Sequence, residues 1–411
     1  MTLLELITLL IVGAAGFAAL NATTIKLPTA VGVLVLSLTA SLCILVSDAY
    51  IDSFNITQDA KDMVNAMSFD STLLEGMLGL LLFAGALHVK VSELKKQLLP
   101  VLMMASLGVV LSTAVIGVAF SWMAAVPLGV ALVFGAIVTP TDPVAVLGAL
   151  KTAGINKSLE TKIAGESLFN DGVAYVIFLI LVALAFESTG GDHGHMDAQS
   201  AAILFVQEAF GGAVMGLLLG WITYQVMRRI DDYAIEILLT LALVMGGYLI
   251  SLKLHLSAPI MAVMAGLLIG HVGMPGGMSE NTRTHVDAFW RVVDEILNMI
   301  LFVMIGVEVF AITFDQNILL LGLGGIALSL LGRTIAVAVP FFALKPFRTF
   351  SKGAFPLLTW GGIKGGISIA LALSLPDGPY SDVILGVTYI VVVFSILVQG
   401  LTIAPLARKI T

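Results

Sequence analysis

The fold is decided by an apolar stretch with a polar interruption, VPLGVALVFGAIVTPTDPVAVLGAL at 126–150. The stretch is long enough to cross about 30 Å of hydrocarbon. However, Pro140 and Pro143 lack backbone N–H donors and disfavour helical geometry at Thr139 and Asp142. Irregular backbone persists at membrane depth only where it is buried in protein or lines a wet cavity. A simple proline kink would not require an aspartate between the prolines, so we interpret this break as part of a functional site.

The composition of the whole chain fits such a setting. Hydrophobic residues make up 59% of 411 positions and charged residues 11%, whereas soluble domains contain about 25% charged residues. A soluble enzyme is therefore excluded, and the composition predicts an all-α polytopic membrane protein whose partner is the lipid bilayer. No basic run long enough for a nucleic-acid patch is present, so no nucleic-acid partner is expected.

Apolar runs separated by charged or Gly/Pro-rich breaks predict about thirteen transmembrane helices. The predicted spans are 3–21, 27–46, 72–89, 98–121, 126–150, 161–186, 200–227, 233–252, 256–272, 291–312, 317–344, 354–375 and 381–407.

The basic residues predict how these spans are oriented. With the C-terminus in the cytoplasm and the N-terminus outside, sixteen of the 20 Lys and Arg residues fall in cytoplasmic segments. Such an excess is the expectation for inside loops. We therefore predict a multi-pass protein of the cell (inner) membrane.

The twelfth span contains a second polar interruption, Lys364 within WGGIKGG at 360–366. Glycines weaken a helix interior, so a second broken helix is predicted. Spans 1–6 and 8–13 form two sets of six, and the broken span is the fifth in each set. Because a single span, the seventh, separates the two sets, the second set has the opposite orientation in the membrane. This pattern predicts two inverted six-helix repeats with two broken crossing helices. Asp142 and Lys364 would then compensate the partial charges of the facing half-helix ends.

The sixth span carries further polar side chains in GESLFNDG at 165–172. Glu166 and Asn170 are four residues apart, as are Ser167 and Asp171, so all of them lie on adjoining faces of one helix.

These side chains suggest a site for a dehydrated monovalent cation, which prefers oxygen ligands. The candidates are the Ser167 hydroxyl, the Asp171 and Asp142 carboxylates and the freed Thr141 carbonyl. Removal from water disfavours the charged form of a carboxylic acid. Asp171 would then hold either a proton or a cation, which is the minimal mechanism of an antiporter.

Arg333 is a lone guanidinium in the eleventh span, and a buried guanidinium needs an anion. Glu166 is the predicted partner, which would give a structural ion pair. Further polar residues in the tenth span are Asp294, Glu295 and Glu308. A solvated position near the cytoplasmic end is favoured for the first two, and Glu308 lies nearer the outer face.

Together, these motifs resemble sodium/proton antiporters of the cation:proton antiporter superfamily, in the NhaP-like branch related to animal sodium/hydrogen exchangers. The resemblance rests on TDP at 141–143, ES at 166–167, ND at 170–171, Arg333 and GGIKG at 361–365.

The resemblance implies a homodimer with elevator-like transport. Residues 1–97 would form dimerisation-domain helices, and 199–312 would form the linking and remaining dimerisation-domain helices. Residues 98–187 and 314–411 would form the two halves of the core (transport) domain.

The resemblance also implies the roles of the site residues. Na⁺ would bind at Asp171, Asp142, Ser167 and Thr141, and Glu166 would pair with Arg333. Asn170 precedes the functional aspartate, and an asparagine at this position is typical of the electroneutral branch of the family, in which one proton is exchanged for one cation. The implied transported ions are Na⁺ and H⁺, with Li⁺ as a further candidate, and no cofactor is expected.

Two departures from the family pattern leave the cation open. Lys364 stands where relatives usually have Arg. Lysine keeps the positive charge but lacks the paired N–H donors with which a guanidinium binds an anion in a bidentate manner. The run FAGALH at 83–88 lacks the acidic residue that many relatives carry in the third span. A K⁺/H⁺ or mixed-selectivity antiporter is therefore the alternative, and an intramembrane enzyme using an Asp142/Asp171 pair is the remote one. We expect a transporter and no enzyme.

Overall fold

The structure is a computed structural model that describes residues 3–50, 69–151, 155–186, 198–273, 276 and 278–410. Its secondary structure consists of helices, with no strand in these ranges. This confirms the predicted all-α fold class.

The first half of the chain contains seven helical elements in the described ranges. They are α1 (Leu3–Leu20), α2 (Thr29–Tyr50), α3 (Phe69–Leu87), α4 (Val91–Ala124), the half-helices α5a (Leu128–Ile137) and α5b (Pro143–Lys151), and α6 (Lys157–Phe186).

The second half continues in the same way. Its elements are α7 (Ala198–Met227), α8 (Tyr233–Lys253), α9 (Ala258–Gly273), α10 (Glu280–Val307), α11 (Gln316–Leu344), the half-helices α12a (Ala354–Trp360) and α12b (Gly366–Leu373), and α13 (Ser381–Ile410).

Nine of the described helices are long and apolar enough to cross a membrane. Their outer surfaces carry exposed apolar side chains, such as Phe210 of α7 and Leu238 of α8. A hydrocarbon solvent makes this arrangement favourable, whereas water would not.

Two helices begin well before the apolar spans predicted for them. The span predicted at 98–121 is part of α4, which begins at Val91, and the span predicted at 291–312 belongs to α10, which begins at Glu280 and ends at Val307. Both helices begin in polar turns that precede the apolar run, and the Ser279 side chain caps α10 by accepting from the Thr282 N–H. Apolar composition alone therefore underestimates these helices.

The described helices pack mainly in two groups. The core bundle consists of α4–α6 and α11–α13, in which α4 packs against α5a and α11, and α13 packs against α11 and α12b. The scaffold bundle consists of α1–α3 and α7–α10, in which α9 packs against α3 and α7, and α10 packs against α2. The two broken helices both belong to the core bundle.

Candidate functional site

The site is built where the two broken helices cross. The Asp142 N–H donates to the Ile363 carbonyl at 2.7 Å, so the interrupted segments satisfy each other's backbone groups. The Lys364 N–H donates to Ser395 Oγ at 2.9 Å. A Cβ atom on Gly365 would lie 2.8 Å from the Asp142 Cβ atom, a distance that real Cβ contacts do not show. Glycine is therefore required for this close approach.

The charged side chains at the crossing bind the ends of the half-helices. Asp142 Oδ1 accepts from the Val144 N–H at 2.8 Å, in the first turn of α5b. Lys364, which is 2% exposed, donates from Nζ to the Thr139 carbonyl at 2.9 Å, just beyond the end of α5a. Each charge has the sign that favours the helix end it meets.

A chain of hydrogen bonds joins the first break to α6. Asn170 Nδ2 donates to Thr141 Oγ1 at 2.7 Å, and the Thr141 and Ser167 hydroxyl groups share a hydrogen bond of 3.0 Å. The three side chains are buried. The Thr141 side chain was not among the predicted oxygen donors, because only its carbonyl was considered. The structure orients its hydroxyl group toward α6.

Asp171 lies beside this chain and is 4% exposed. Its carboxylate accepts a hydrogen bond from the Thr141 backbone N–H. Its Oδ1 atom has no hydrogen-bond partner among the described residues. A buried carboxylate oxygen without a partner is costly. A proton or a cation would remove this cost, so the geometry suits a group that exchanges the two.

Glu166 lies on α6, as Asp171 does, but its carboxylate is paired with Arg333. Arg333 donates from Nη1 to Glu166 Oε1 and from Nη2 to Glu166 Oε2, the latter at 2.8 Å. The guanidinium also donates from Nε to the Leu358 carbonyl at 3.0 Å. Both charged side chains are buried, so this is a bidentate ion pair that links α6, α11 and α12a.

A cavity of about 910 Å³ reaches the crossing from one side. At its inner end lie Thr141, Asp142 and Asp171. Ser167 lies behind Thr141, to which it is hydrogen-bonded. At its outer end the cavity is lined by His88, which follows α3, and by Arg283 near the start of α10. Ions and water can therefore approach Asp171 from this side.

The sequence matches one protein family over nearly its whole length. The model of the family "Sodium/hydrogen exchanger, transmembrane" matches residues 6–409. The chain belongs to the sodium/hydrogen exchanger family.

Similar members of the family include bacterial antiporters. The chain is 43% identical over 405 residues to the Na⁺/H⁺ antiporter NhaP of Pseudomonas aeruginosa, covering 95% of this chain and 93% of that protein. It is 37% identical over 348 residues to the Na⁺/H⁺ antiporter NhaH of Halobacillus aidingensis, covering 83% and 84%.

A solved structure with the same fold is that of the sodium proton antiporter MjNhaP1 from Methanocaldococcus jannaschii at pH 8. The two share 19% sequence identity and a TM-score of 0.75, over 100% of this chain and 99% of that one. The two chains therefore share one fold over almost their whole length.

The polar face of α10 contributes to the cavity of this exchanger. Asp294 and Glu295, interpreted as solvated residues near the helix end, line the cavity together with Asp287 and Asn298. Asn298 Nδ2 donates to Asp294 Oδ1 at 3.0 Å. The spacing of these residues by three and four positions places Asp287, Asp294 and Asn298 on one helix face, and that spacing is the signal that could have found them.

Proposed function

We propose that this protein is a secondary active antiporter that exchanges Na⁺ for H⁺, the two ions competing for Asp171. The observation that carries the proposal is the buried Asp171 carboxylate, whose Oδ1 atom has no hydrogen-bond partner in the described residues while the residue lines a cavity. The relatives named as Na⁺/H⁺ antiporters support the choice of ions. Li⁺ is a further candidate substrate, and no cofactor or catalytic chemistry is involved.

The proposed Na⁺ ligands are oxygen atoms of Asp171, Asp142, Thr141 and Ser167. These atoms are proposed because they lie close together. The Thr141 and Ser167 hydroxyl groups are hydrogen-bonded to each other, and the Thr141 N–H is hydrogen-bonded to Asp171. Asn170 belongs to the same site through its donation to Thr141 Oγ1. The Asn170 amide donates to one lone pair of the Thr141 hydroxyl group and thereby restricts how that group can rotate. This hydrogen bond pre-orients the site.

The remaining charges have structural roles in this proposal. Lys364 and Asp142 compensate the half-helix ends at the crossing, with support from their contacts to the Thr139 carbonyl and the Val144 N–H. Glu166 and Arg333 form an ion pair that holds α6 to α11.

The transport cycle follows from the proposed architecture. Thirteen spans in two inverted repeats would place the N-terminus outside and the C-terminus in the cytoplasm. The cavity would then open to the cytoplasm, because it reaches the residues after α3 and at the start of α10. A homodimer would be joined by the scaffold bundle, and the core bundle would move against it like an elevator and carry Asp171 between the two sides.

One-for-one exchange is the expected stoichiometry, because the residue before Asp171 is the amide Asn170 and not a second aspartate that could carry another proton. In proteoliposomes, the Na⁺ concentration and the pH are set independently inside and outside. The Na⁺ and H⁺ gradients at which net proton movement stops should be the same at every membrane potential. An exchanger that moved one net charge would shift this balance about 50-fold at 100 mV, since that potential is worth about 2.3 kcal/mol per charge. Protein-free liposomes serve as the control and measure the passive leak of protons through the bilayer.

The same vesicles test the cation. Proton movement driven by Na⁺ supports the proposal, whereas movement driven by K⁺ alone would favour the K⁺/H⁺ alternative that the missing acidic residue at 83–88 leaves open. A balance point that follows the membrane potential would contradict electroneutral exchange.

A further inference from the structure

One face of α10 follows the ion path through the protein. Residues on this face are separated alternately by four and three positions, so they form a continuous stripe along the helix. The stripe consists of Asp287, Arg291, Asp294, Asn298, Leu301, Ile305 and Glu308, the last of which lies in the short helical turn that follows α10.

The first part of the stripe is open. All residues from Asp287 to Leu301 on this face line the cavity that leads to Asp171. They are polar up to Asn298, and Asp294 faces the path of an incoming cation.

The second part of the stripe is closed by the core bundle. A Cβ atom on Gly366, at the start of α12b, would overlap the Leu301 side chain, so these two helices touch where the cavity ends. Further along, the Tyr389 hydroxyl of α13 donates to the Ile305 carbonyl at 3.0 Å. These contacts separate Glu308 from the cavity.

Glu308 is nevertheless an acidic residue, and it is only 2% exposed. The titratable groups that influence it are Asp70 of α3 and Tyr389 of α13. No ion pair within the described ranges includes it. Burying a carboxylate without a cationic partner is unfavourable. A packing role would be met better by an apolar residue of similar size, so the position calls for a functional explanation.

The position along the helix supplies that explanation. Glu308 follows Asp294 by fourteen residues, which corresponds to about 21 Å along the helix axis. The two carboxylates therefore lie on one face of α10 and the helical turn that follows it, on opposite sides of the Leu301 closure. Asp294 is in the open cavity, and Glu308 is in the corresponding place on the closed side.

We propose that Glu308 is a cation-binding carboxylate of a second vestibule, which opens on the opposite side of the membrane when the core bundle moves along α10. This inference rests on the proposed antiport function. In that state the Tyr389–Ile305 hydrogen bond is broken, the α13 surface leaves Glu308, and a cation that enters or leaves on that side meets Glu308 before Asp171. Asp294 has the equivalent role on the side that is open here.

The test compares the two faces of the membrane. Na⁺-driven proton movement is measured in right-side-out and in inside-out membrane vesicles for the unmodified protein, Glu308→Gln and Asp294→Asn. Glu308→Gln should raise the KM for Na⁺ about tenfold on the outer face, the scale of losing one contact to a charged group, and leave the KM on the inner face unchanged. Asp294→Asn should do the reverse. An equal effect of Glu308→Gln on both faces, or no effect on either, would overturn the proposal.

Accessibility provides a second readout that does not depend on which cation is carried. The only cysteine, Cys43, is replaced in a Cys43→Ser background, and Glu308→Cys and Asp294→Cys are labelled with a membrane-impermeant thiol reagent. During exchange, labelling at 308 from outside should rise while labelling at 294 from inside falls. If 308 remains unreactive while the exchange proceeds, Glu308 is not on the path. If the unmodified protein moves no protons in either vesicle type, the antiport proposal itself fails.

Discussion

Asp171→Asn is expected to reduce Na⁺-driven proton movement in proteoliposomes to the rate of protein-free liposomes. Asparagine has the size of aspartate, and its amide oxygen can still accept the hydrogen bond from the Thr141 N–H. It takes up no proton and offers no negative charge to a cation, so both half-reactions of the exchange are lost together. The protein should still fold, because the substitution removes a buried charge.

The control for this variant is Asp382→Asn, which removes an exposed carboxylate in the first turn of α13. It should exchange ions at the unmodified rate. Size-exclusion chromatography and thermal unfolding in detergent verify that Asp171→Asn is folded. Undiminished exchange by Asp171→Asn would contradict the role assigned to this carboxylate.

Arg333→Gln and Glu166→Gln are each expected to lower the free energy of unfolding by about 3–5 kcal/mol. The two side chains are buried and joined by bidentate hydrogen bonds. Removing either one leaves the other charge inside the core bundle without its partner. The double variant should lose less than the sum of the two single losses, because no unpaired charge remains. Denaturant unfolding in detergent, followed by tryptophan fluorescence, measures these differences.

The matched comparison is the exposed pair between Lys96 Nζ and Glu93 Oε1, 2.8 Å apart on α4. The same double-variant cycle there should give no measurable coupling, since water screens exposed pairs. Strictly additive losses for Glu166 and Arg333 would argue that the buried contact carries no coupling energy.

The broken helices could be predicted from the sequence because their cause is local. Pro140 and Pro143 cannot donate backbone hydrogen bonds, and the glycines around Lys364 destabilise a helix. The breaks lie at 138–142 and 361–365 in the structure, where those residues stand. The pairing of Glu166 with Arg333 could also be reasoned from charge, because a buried guanidinium needs an anion. The structure brings these two side chains together.

Other features depend on tertiary contacts and could not be predicted. The chain from Asn170 through the Thr141 hydroxyl to Ser167 requires the exact approach of α6 to the first break. The cavity position of Asp294 depends on α10 beginning well before its apolar run, so that its polar turns lie beside the core bundle. Hydropathy describes only the apolar part of such a helix.

The central claim is that a proton and Na⁺ take turns on the Asp171 carboxylate, and proton release on Na⁺ addition tests it most directly. Purified protein in weakly buffered detergent solution is titrated with NaCl, with choline chloride as the control, and the pH is followed with an indicator dye. The unmodified protein should release protons in a saturable manner, and its apparent Na⁺ affinity should fall by up to about tenfold per unit of decreasing pH. Asp171→Asn should release none. Saturable Na⁺ binding without proton release, or equal release from Asp171→Asn, would contradict the account.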